Sequence, residues 1–263
     1  MFPILFKFGS ITLYTFGLMA ALGFFAAIYY TKYEAGREGY DPEMAVDMTF
    51  WLMVMGLIGS RVMFILTEHE FYFKNPSEIL KIWNGGLVWY GGLLAGTATA
   101  WIYTKYKGVR FLDMADILSP AVMLGLAIGR WGCFAAGDDY GIVSLSGSHW
   151  WTVTFTNPTC LVPNELLGKP LWPAQLIMSA NGFSIFLVMN YLLRRKVFTG
   201  QIFFLMMMMY SVNRFLIEYI RGDENRGYVV PGAISTSQFV SLVVFPIAAA
   251  GLIYLYSRHR KSS

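Results

Sequence analysis

The chain has 263 residues, of which 56% are hydrophobic and only 14% are charged, and its mean hydropathy is +0.49. These values lie far outside the range of soluble globular proteins, so they exclude a water-soluble domain as the main part of the molecule. The formal net charge is only +4. The composition predicts a polytopic membrane protein whose partners are found in or at the membrane, and no nucleic acid among them.

Seven apolar stretches are long enough to cross about 30 Å of hydrocarbon as helices. They cover about residues 11–32, 44–66, 86–104, 114–134, 172–193, 201–220 and 234–256. The predicted fold class is therefore an all-α polytopic membrane protein with about seven transmembrane helices. Because neither an internal repeat nor a linker divides the chain, we expect a single integral membrane domain over residues 1–263.

The basic residues indicate the orientation of these spans. If the C-terminus is cytoplasmic, eleven Lys and Arg lie in inner segments and six in outer segments. The positive-inside rule then predicts a periplasmic N-terminus and a cytoplasmic C-terminus. The other three arginines, Arg61, Arg130 and Arg214, lie within spans or at their ends.

Two outer connections carry structural signals. Residues 67–84 mix aromatic and charged side chains, which fits either a short amphipathic helix along the interface or an ordinary loop. Residues 137–170 are rich in Gly and Pro, and Trp150–Phe155 among them is β-branched and aromatic, which predicts a strand within a small periplasmic cap. Cys133 and Cys160 lie on this outer side, where a disulfide is allowed, but two cysteines do not establish one.

The third span opens with five glycines between Gly85 and Gly96. Small residues in a membrane helix are typical of close helix packing. Alternatively, Gly91 and Gly92 expose the backbone to a lipid headgroup, and Tyr90 faces a cavity where its hydroxyl can donate a hydrogen bond. Both interpretations stay open.

The arginines in apolar surroundings need anionic partners, because a guanidinium stays charged and is costly in hydrocarbon. Arg214, Glu218 and Arg221 are spaced i, i+4 and i+7, which predicts a shared helix face. One interpretation is an internal Arg214–Glu218 pair that locks helices together. The other is a clamp for a lipid phosphate, because a single glutamate cannot neutralise two or three arginines.

Familiar hydrolase and metal chemistry has no support in the sequence. Asp138 and Asp139 are adjacent in one turn, whereas an intramembrane aspartyl dyad needs carboxylates that face each other from different elements. No serine nucleophile elbow, His/Cys cluster or phosphate loop occurs. We expect neither a metal nor a cofactor.

Taken together, these segments resemble the prolipoprotein diacylglyceryl transferases of bacterial inner membranes. The strongest part is Gly129-Arg130-Trp131-Gly132-Cys133-Phe134 followed by Gly137 and Tyr140-Gly141, which is similar to the family signature Gly-Arg-x-Gly-Asn-Phe and its glycine-ended turn. The other matching segments are Tyr14–Met19, Arg61 after a Gly-x-Arg-like turn, Gly91-Gly92-Leu93, Asp116, Arg214–Arg221 and Ser235–Gln238.

The resemblance implies a reaction in which the sn-1,2-diacylglyceryl group of phosphatidylglycerol moves to the thiol of the lipobox cysteine in a preprolipoprotein signal peptide, and glycerol phosphate is released. The nucleophile then belongs to the substrate. The implied catalytic residues are Arg130, Arg214, Tyr90 and Glu218. The implied phosphatidylglycerol-binding residues are Arg130, Arg214, Arg61, Gly91, Gly92, Gly141, Asp138 and Phe16.

Several positions depart from the family pattern. Cys133 stands where the family often has Asn, Asp138 where it often has Glu, Phe16 where Tyr is frequent, and Tyr90 where some members have His. The base that deprotonates the substrate thiol therefore stays open between Tyr90, Glu218, an aspartate of the turn and solvent. The alternatives to an active transferase are a non-catalytic paralogue that binds lipid or lipoprotein, and a small anion transporter.

Overall fold

A computed structural model of the chain describes residues 1–9, 11–81, 86–223, 227–230 and 232–262. Gly85 and the residues at 82–84, which end the 67–84 stretch, lie outside these ranges. Helices dominate the described residues: α1 Thr15–Arg37, α2 Pro42–Thr67, α3 His69–Lys74, α4 Trp89–Tyr106, α5 Phe111–Ala136, α6 Ala174–Leu193, α7 Gln201–Ile217 and α8 Thr236–Ser262.

Three small antiparallel sheets accompany the helices in the described ranges. They pair β1 (Ile4–Phe8) with β2 (Ile11–Tyr14), β3 (Val153–Thr154) with β4 (Pro170–Leu171), and β5 (Tyr228–Val230) with β6 (Ile234–Ser235). Each sheet has two strands. The sheets are small and lie in connections and at helix starts. Most of the described chain is therefore helical.

The all-α membrane class is confirmed. A helix occupies each of the seven predicted spans, and four of them, α2, α5, α6 and α8, are long and apolar enough by length and composition to cross a membrane. The apolar helix α7 is shorter and ends at Ile217, where the prediction ran to residue 220. The expectation that Arg221 continues the Arg214–Glu218 helix face is therefore wrong, because Arg221 forms an antiparallel bridge with Gly141.

The two connections that were predicted to lie on the outer side contain less regular secondary structure than predicted. In the 137–170 segment, the strand predicted at Trp150–Phe155 covers only Val153–Thr154, which pairs with Pro170–Leu171. Trp150 and Trp151 instead belong to a turn, in which the Thr152 hydroxyl donates to the His149 carbonyl (2.9 Å) and accepts from the His149 amide (3.0 Å). In the described part of the 67–84 stretch, α3 covers six residues and a 3-10 helix follows at Pro76–Glu78.

The described chain forms two compact units, one from residues 1–27 and 115–263 and the other from residues 28–114. The first unit has an apolar core that α5, α6 and α7 share, made by Met123, Ile185, Met189, Leu193 and Ile202. Fully buried Asp116 of α5 accepts hydrogen bonds from the amides of Gly200 (2.8 Å) and Phe203 (2.9 Å). These bonds satisfy amides at the start of α7, so they fix the helix whose far end carries Arg214.

In the second unit, the glycines of α4 face those of α2. A Cβ at Gly59 would lie 2.6 Å from the Gly91 carbonyl oxygen, and a Cβ at Gly92 would lie 3.0 Å from the Gly56 carbonyl oxygen. Larger side chains would force the helix backbones apart. The close-packing interpretation of the glycine-rich third span is confirmed, whereas a headgroup contact at Gly91 and Gly92 stays a prediction.

Replacing Gly91 by Val should separate α2 from α4. The new side chain would overlap the Gly59 carbonyl and Met63, and we expect overpacking to cost about 1–3 kcal/mol. Gly96→Val in the same helix is the matched control, since a Cβ at Gly96 meets nothing within 4 Å. Thermal unfolding in detergent should show a lower Tm for Gly91→Val than for Gly96→Val, and equal values would contradict the packing account.

Candidate functional site

Arg130 lies in the last turns of α5, and the way that helix ends determines its surroundings. Gly137 has a φ of +77°, its amide donates to the Phe134 carbonyl (3.3 Å), and the Asp138 amide donates to the Cys133 carbonyl (2.9 Å). This is a Schellman termination, which requires the left-handed conformation that glycine adopts at low cost. The chain reverses there and returns toward the helix end.

The reversal places Asp139 against Arg130. One carboxylate oxygen of Asp139 forms an ion pair with Arg130 Nη1, and the other accepts from Arg221 Nη2 at 2.5 Å. Asp139 itself has a φ of +51°, a conformation that Asp tolerates better than most residues. Burial alone would raise the pKa of Asp139, but the guanidinium groups of Arg130 and Arg221 hold it below its usual value.

Arg221 has a second acidic partner and a fixed backbone. Its Nε and Nη2 donate to the two carboxylate oxygens of Asp223 at 2.8 and 2.5 Å, which is a bidentate pair. Backbone bonds join the same segment to the turn after α5, from the Ile142 amide to the Ile220 carbonyl (3.0 Å) and from the Gly222 amide to the Tyr140 carbonyl (2.8 Å).

Gly141 lies where these backbone segments cross. A Cβ at Gly141 would lie 2.8 Å from Trp172 Cβ, and a Cβ at Gly222 would lie 2.6 Å from the Gly141 carbonyl oxygen. Both positions therefore require glycine for the close approach of the chain. Packing therefore explains by itself why residue 141 is a glycine. Contact with lipid at this residue stays a prediction.

Arg214 extends the cluster from α7. Its Nη1 lies 2.9 Å from Glu218 Oε2, and its Nη2 donates to Ser237 Oγ at 2.7 Å, at the start of α8. Glu218 is 3% exposed. The internal Arg214–Glu218 pair is thus present, so whether it only locks helices or also holds a substrate anion depends on function.

The charge balance differs from the sequence-based expectation. We expected one glutamate to face several arginines, but Asp139 and Asp223 supply two further carboxylates, so the described part of the cluster has as many acids as guanidinium groups. The reason is the fold, which brings acids from two turns to one place. A substrate phosphate would therefore have to compete with carboxylates for its arginines.

Asp138 lies in the same turn, and Phe16 lies against the last turns of α5. The Asp138 carboxylate accepts from the Asp139 amide (3.0 Å), and its backbone carbonyl accepts from the fully buried Gln175 at 2.7 Å. Partial burial and the neighbouring charge of Asp139 raise the pKa of Asp138. Phe16, at the start of α1, has an exposed side chain, and a Cβ at Gly132 would lie 3.1 Å from its Cα, so α1 packs closely on the end of α5.

Arg61 and Tyr90 belong to the second unit. Arg61 is buried and donates to the carbonyls of Ile79 (3.2 Å), Glu78 (2.7 Å) and Gly86 (3.1 Å), and its guanidinium lies 5.2 Å from the centre of the Tyr72 ring. These contacts organise the connection between α3 and α4. The sequence had predicted only a phosphate contact for Arg61. Tyr90 is half-buried in the first turn of α4 and packs edge-to-face on Trp89.

The remaining candidate groups among the described residues are the two cysteines and possible metal ligands. Cys133 and Cys160 are buried free thiols, and Cys133 Sγ lies 4.0 Å from Arg130 Nη1. Within the described ranges, no group of three or more His, Cys, Asp and Glu side chains could hold a metal ion. Asp223 is the polar residue of the cluster that the sequence did not single out. Asp139 and Ser237 were named there, but not as partners of Arg130 and Arg214, because neither follows a spacing pattern from an arginine.

The fold and the cluster define an all-α integral membrane protein with a buried set of arginines and carboxylates beside a glycine-rich turn. The family model described as prolipoprotein diacylglyceryl transferase matches residues 3–254, so the chain belongs to that family, as the signature motif indicated. The match and the apolar helices together indicate a multi-pass protein of the bacterial inner membrane.

Relatives with the name phosphatidylglycerol–prolipoprotein diacylglyceryl transferase align over nearly the whole chain. The protein from Lysinibacillus sphaericus is 30% identical over 259 residues, which cover 96% of this chain and 91% of the relative. The protein from Finegoldia magna is 32% identical over 240 residues, which cover 91% of this chain and 90% of the relative. A Nostoc protein is 28% identical over 261 residues, with 98% and 90% coverage.

Proposed function

We propose that this protein transfers the sn-1,2-diacylglyceryl group from phosphatidylglycerol to the lipobox cysteine of preprolipoprotein signal peptides, the first step of lipoprotein maturation. Family membership supports the reaction, and the buried cluster of Arg130, Arg214 and Arg221 carries the assignment to this chain. In this proposal, Arg130 and Arg214 bind the lipid phosphate, and Arg221, which shares Asp139 with Arg130, contributes to the same site.

The chemistry is a substitution at carbon. The substrate cysteine sulfur attacks the glyceryl carbon that bears the phosphate, the carbon–oxygen bond breaks, and its electron pair stays on the oxygen of the departing glycerol phosphate. Negative charge therefore grows on the phosphate in the transition state. Fixed guanidinium groups stabilise such charge strongly where water is excluded, and they do so with two hydrogen bonds each.

The thiol proton needs an acceptor, and the candidates differ in suitability. Asp139 is a poor base because two arginines lower its pKa. Tyr90 has a phenol, which is a weak base, and Glu218 is paired with Arg214. Asp138 is partly open to solvent and has a raised pKa, which makes it the better acceptor within the turn. We propose Asp138 as the base.

Asp138→Asn should remove the acid limb of the pH–rate profile. With a raised pKa, the Asp138 carboxylate becomes protonated as the pH falls toward that value, so wild-type transfer should decline at a higher pH than an ordinary Asp would give. The variant should be slow, by about 100-fold, and insensitive to pH in that range. Initial rates against pH measure this, and an unchanged acid limb would rule Asp138 out.

Further roles complete the proposal. The N-terminus is periplasmic and the C-terminus cytoplasmic, the 137–170 segment forms a periplasmic cap, and the chain works as a single integral membrane domain. The backbone at Gly141 contributes to the phosphatidylglycerol site, with Phe16 beside the acyl chains. Arg61, Gly91 and Gly92 stay predicted lipid contacts. Tyr90 orients the lipid through its hydroxyl.

Tyr90→Phe tests the hydroxyl of Tyr90 by itself. If the hydroxyl orients the lipid with one hydrogen bond, its loss should slow transfer by about 5- to 30-fold, and the size and packing of the ring would be preserved. Trp89→Phe, at the neighbouring exposed position, is the control and should leave transfer within about twofold of wild type. Near-normal turnover of Tyr90→Phe would remove the hydroxyl from the mechanism.

The experiment that tests the proposed function uses purified protein in proteoliposomes with phosphatidylglycerol and a synthetic lipobox peptide. We expect a peptide whose mass increases by one diacylglyceryl group and an equal amount of released glycerol phosphate. A peptide with Ser in place of its Cys should stay unmodified. Lipid binding without either product would favour the non-catalytic paralogue, and uptake of a phosphorylated solute into the vesicles would favour the transporter.

A further inference from the structure

The counter-ions of the arginine cluster are unequally distributed. In the part of the chain that the structure describes, Asp139 is the only carboxylate that forms an ion pair with Arg130. Arg214 pairs with Glu218, and Arg221 pairs with Asp223 as well as with Asp139. If the Asp139 carboxylate left its position, Arg221 and Arg214 would keep an acidic partner, whereas Arg130 would need another anion.

The Asp139 carboxylate has the charge and the geometry of a phosphodiester in this position. Its two oxygens face two different guanidinium groups, Arg130 through one oxygen and Arg221 through the other at 2.5 Å. A phosphodiester likewise carries a single negative charge on two non-bridging oxygens, each of which accepts hydrogen bonds from guanidinium groups. Exchange of one for the other would leave the net charge of the buried cluster unchanged, so it avoids the cost of an uncompensated buried charge.

The backbone conformation at Asp139 allows its side chain to move away from Arg130 and Arg221. Asp139 lies outside α5, in the turn that follows the Schellman termination, and in the described ranges it is the only residue other than glycine with a positive φ, +51°. Its side chain is 20% exposed. Rotation of this side chain would not require any helix to move, and relaxation of the backbone to negative φ would release strain.

We propose that Asp139 is an internal substitute for the lipid phosphate. It holds Arg130 and Arg221 in position in the lipid-free site, and the phosphate of phosphatidylglycerol displaces it on binding. Asp139 is thus a positioning residue that sets the affinity for the anionic headgroup through competition. The identity of the lipid rests on the proposed function, whereas the competition between Asp139 and a phosphate group does not.

The test compares Asp139→Asn with Asp223→Asn. Both changes remove one negative charge from a partner of Arg221, but only the first removes the partner of Arg130. Because competition is lost, we expect Asp139→Asn to lower the KM for phosphatidylglycerol by about tenfold, with a much smaller change in kcat. Asp223→Asn should shift KM by less than a third of that factor. A raised or unchanged KM in Asp139→Asn would overturn the proposal.

A binding measurement separates this inference from the proposed function. Glycerol phosphate should raise the Tm of Asp139→Asn at a concentration about tenfold lower than it needs for wild type. If the wild type transfers nothing, the proposed function fails, and this Tm titration still decides the competition. If Asp139→Asn does not fold, hydrogen exchange in the wild type decides it: phosphatidylglycerol should speed amide exchange at residues 138–140, and unchanged or slower exchange would overturn the proposal.

Discussion

Replacement of Arg130 by Ala should abolish transfer. Among the described residues, Asp139 is the carboxylate that pairs with Arg130. Because we propose that the lipid phosphate displaces Asp139, Arg130 is the arginine best placed to receive that phosphate. Loss of one fixed charge-stabilising group costs about 100- to 1,000-fold in kcat in other enzymes, and we expect at least that here. Initial rates of peptide modification in proteoliposomes measure the effect.

Arg130→Lys sharpens this prediction. An ammonium group keeps the positive charge but loses the planar fork that binds two oxygens at once, so it should restore transfer only partly, to about a tenth of the wild-type rate or less. Arg195→Ala is the control, because Arg195 is an exposed arginine that packs on Tyr191. Wild-type-like turnover in Arg130→Ala would contradict the phosphate-binding role.

Arg214 should be equally important, but its single substitution confounds two effects. Arg214→Ala would remove the guanidinium that lies 2.9 Å from buried Glu218, and breaking a buried pair from one side costs about 3–5 kcal/mol of stability. We expect this variant to lose transfer and to have a strongly lowered Tm. Loss of activity alone would therefore not identify a role in binding.

The double variant Arg214→Gln with Glu218→Gln separates the two effects. It replaces the buried ion pair with two neutral amides that can bond to each other, so the Tm should return most of the way to that of the wild type. Transfer should stay lost, by about 100-fold or more, because no guanidinium remains at this position to bind phosphate. If activity returns together with stability, the pair is a helix lock and the binding role of Arg214 is wrong.

The helices could be predicted from the sequence because apolar length is enough to define a membrane span. Each predicted span contains a helix, and close packing was one of the two interpretations open for the glycines of the third span. The predicted end of α7 is too late because Arg214, Glu218 and Arg221 have helical spacing, and only the backbone pairing of Gly141 with Arg221 shows where the helix stops.

The site was predictable in part. Arg130, Arg214 and Glu218 could be identified because charged residues in an apolar span are conspicuous and costly. Asp139 and Asp223 could not, because their roles depend on a left-handed turn and on a short connection after α7, which a spacing argument along one helix does not represent. Arg61 resembled the other two arginines in sequence, and only the structure shows its bonds to the carbonyls of Glu78, Ile79 and Gly86.

We propose that the arginine cluster at the ends of α5 and α7 binds the phosphate of the donor lipid. Retention of lipids by the purified protein, measured by native mass spectrometry, tests it most directly. Phosphatidylglycerol and diacylglycerol with the same acyl chains differ only in the headgroup phosphate and its glycerol. The wild type should retain phosphatidylglycerol in preference to diacylglycerol, and Arg130→Ala should lose that preference. An equal preference in both proteins would contradict the claim.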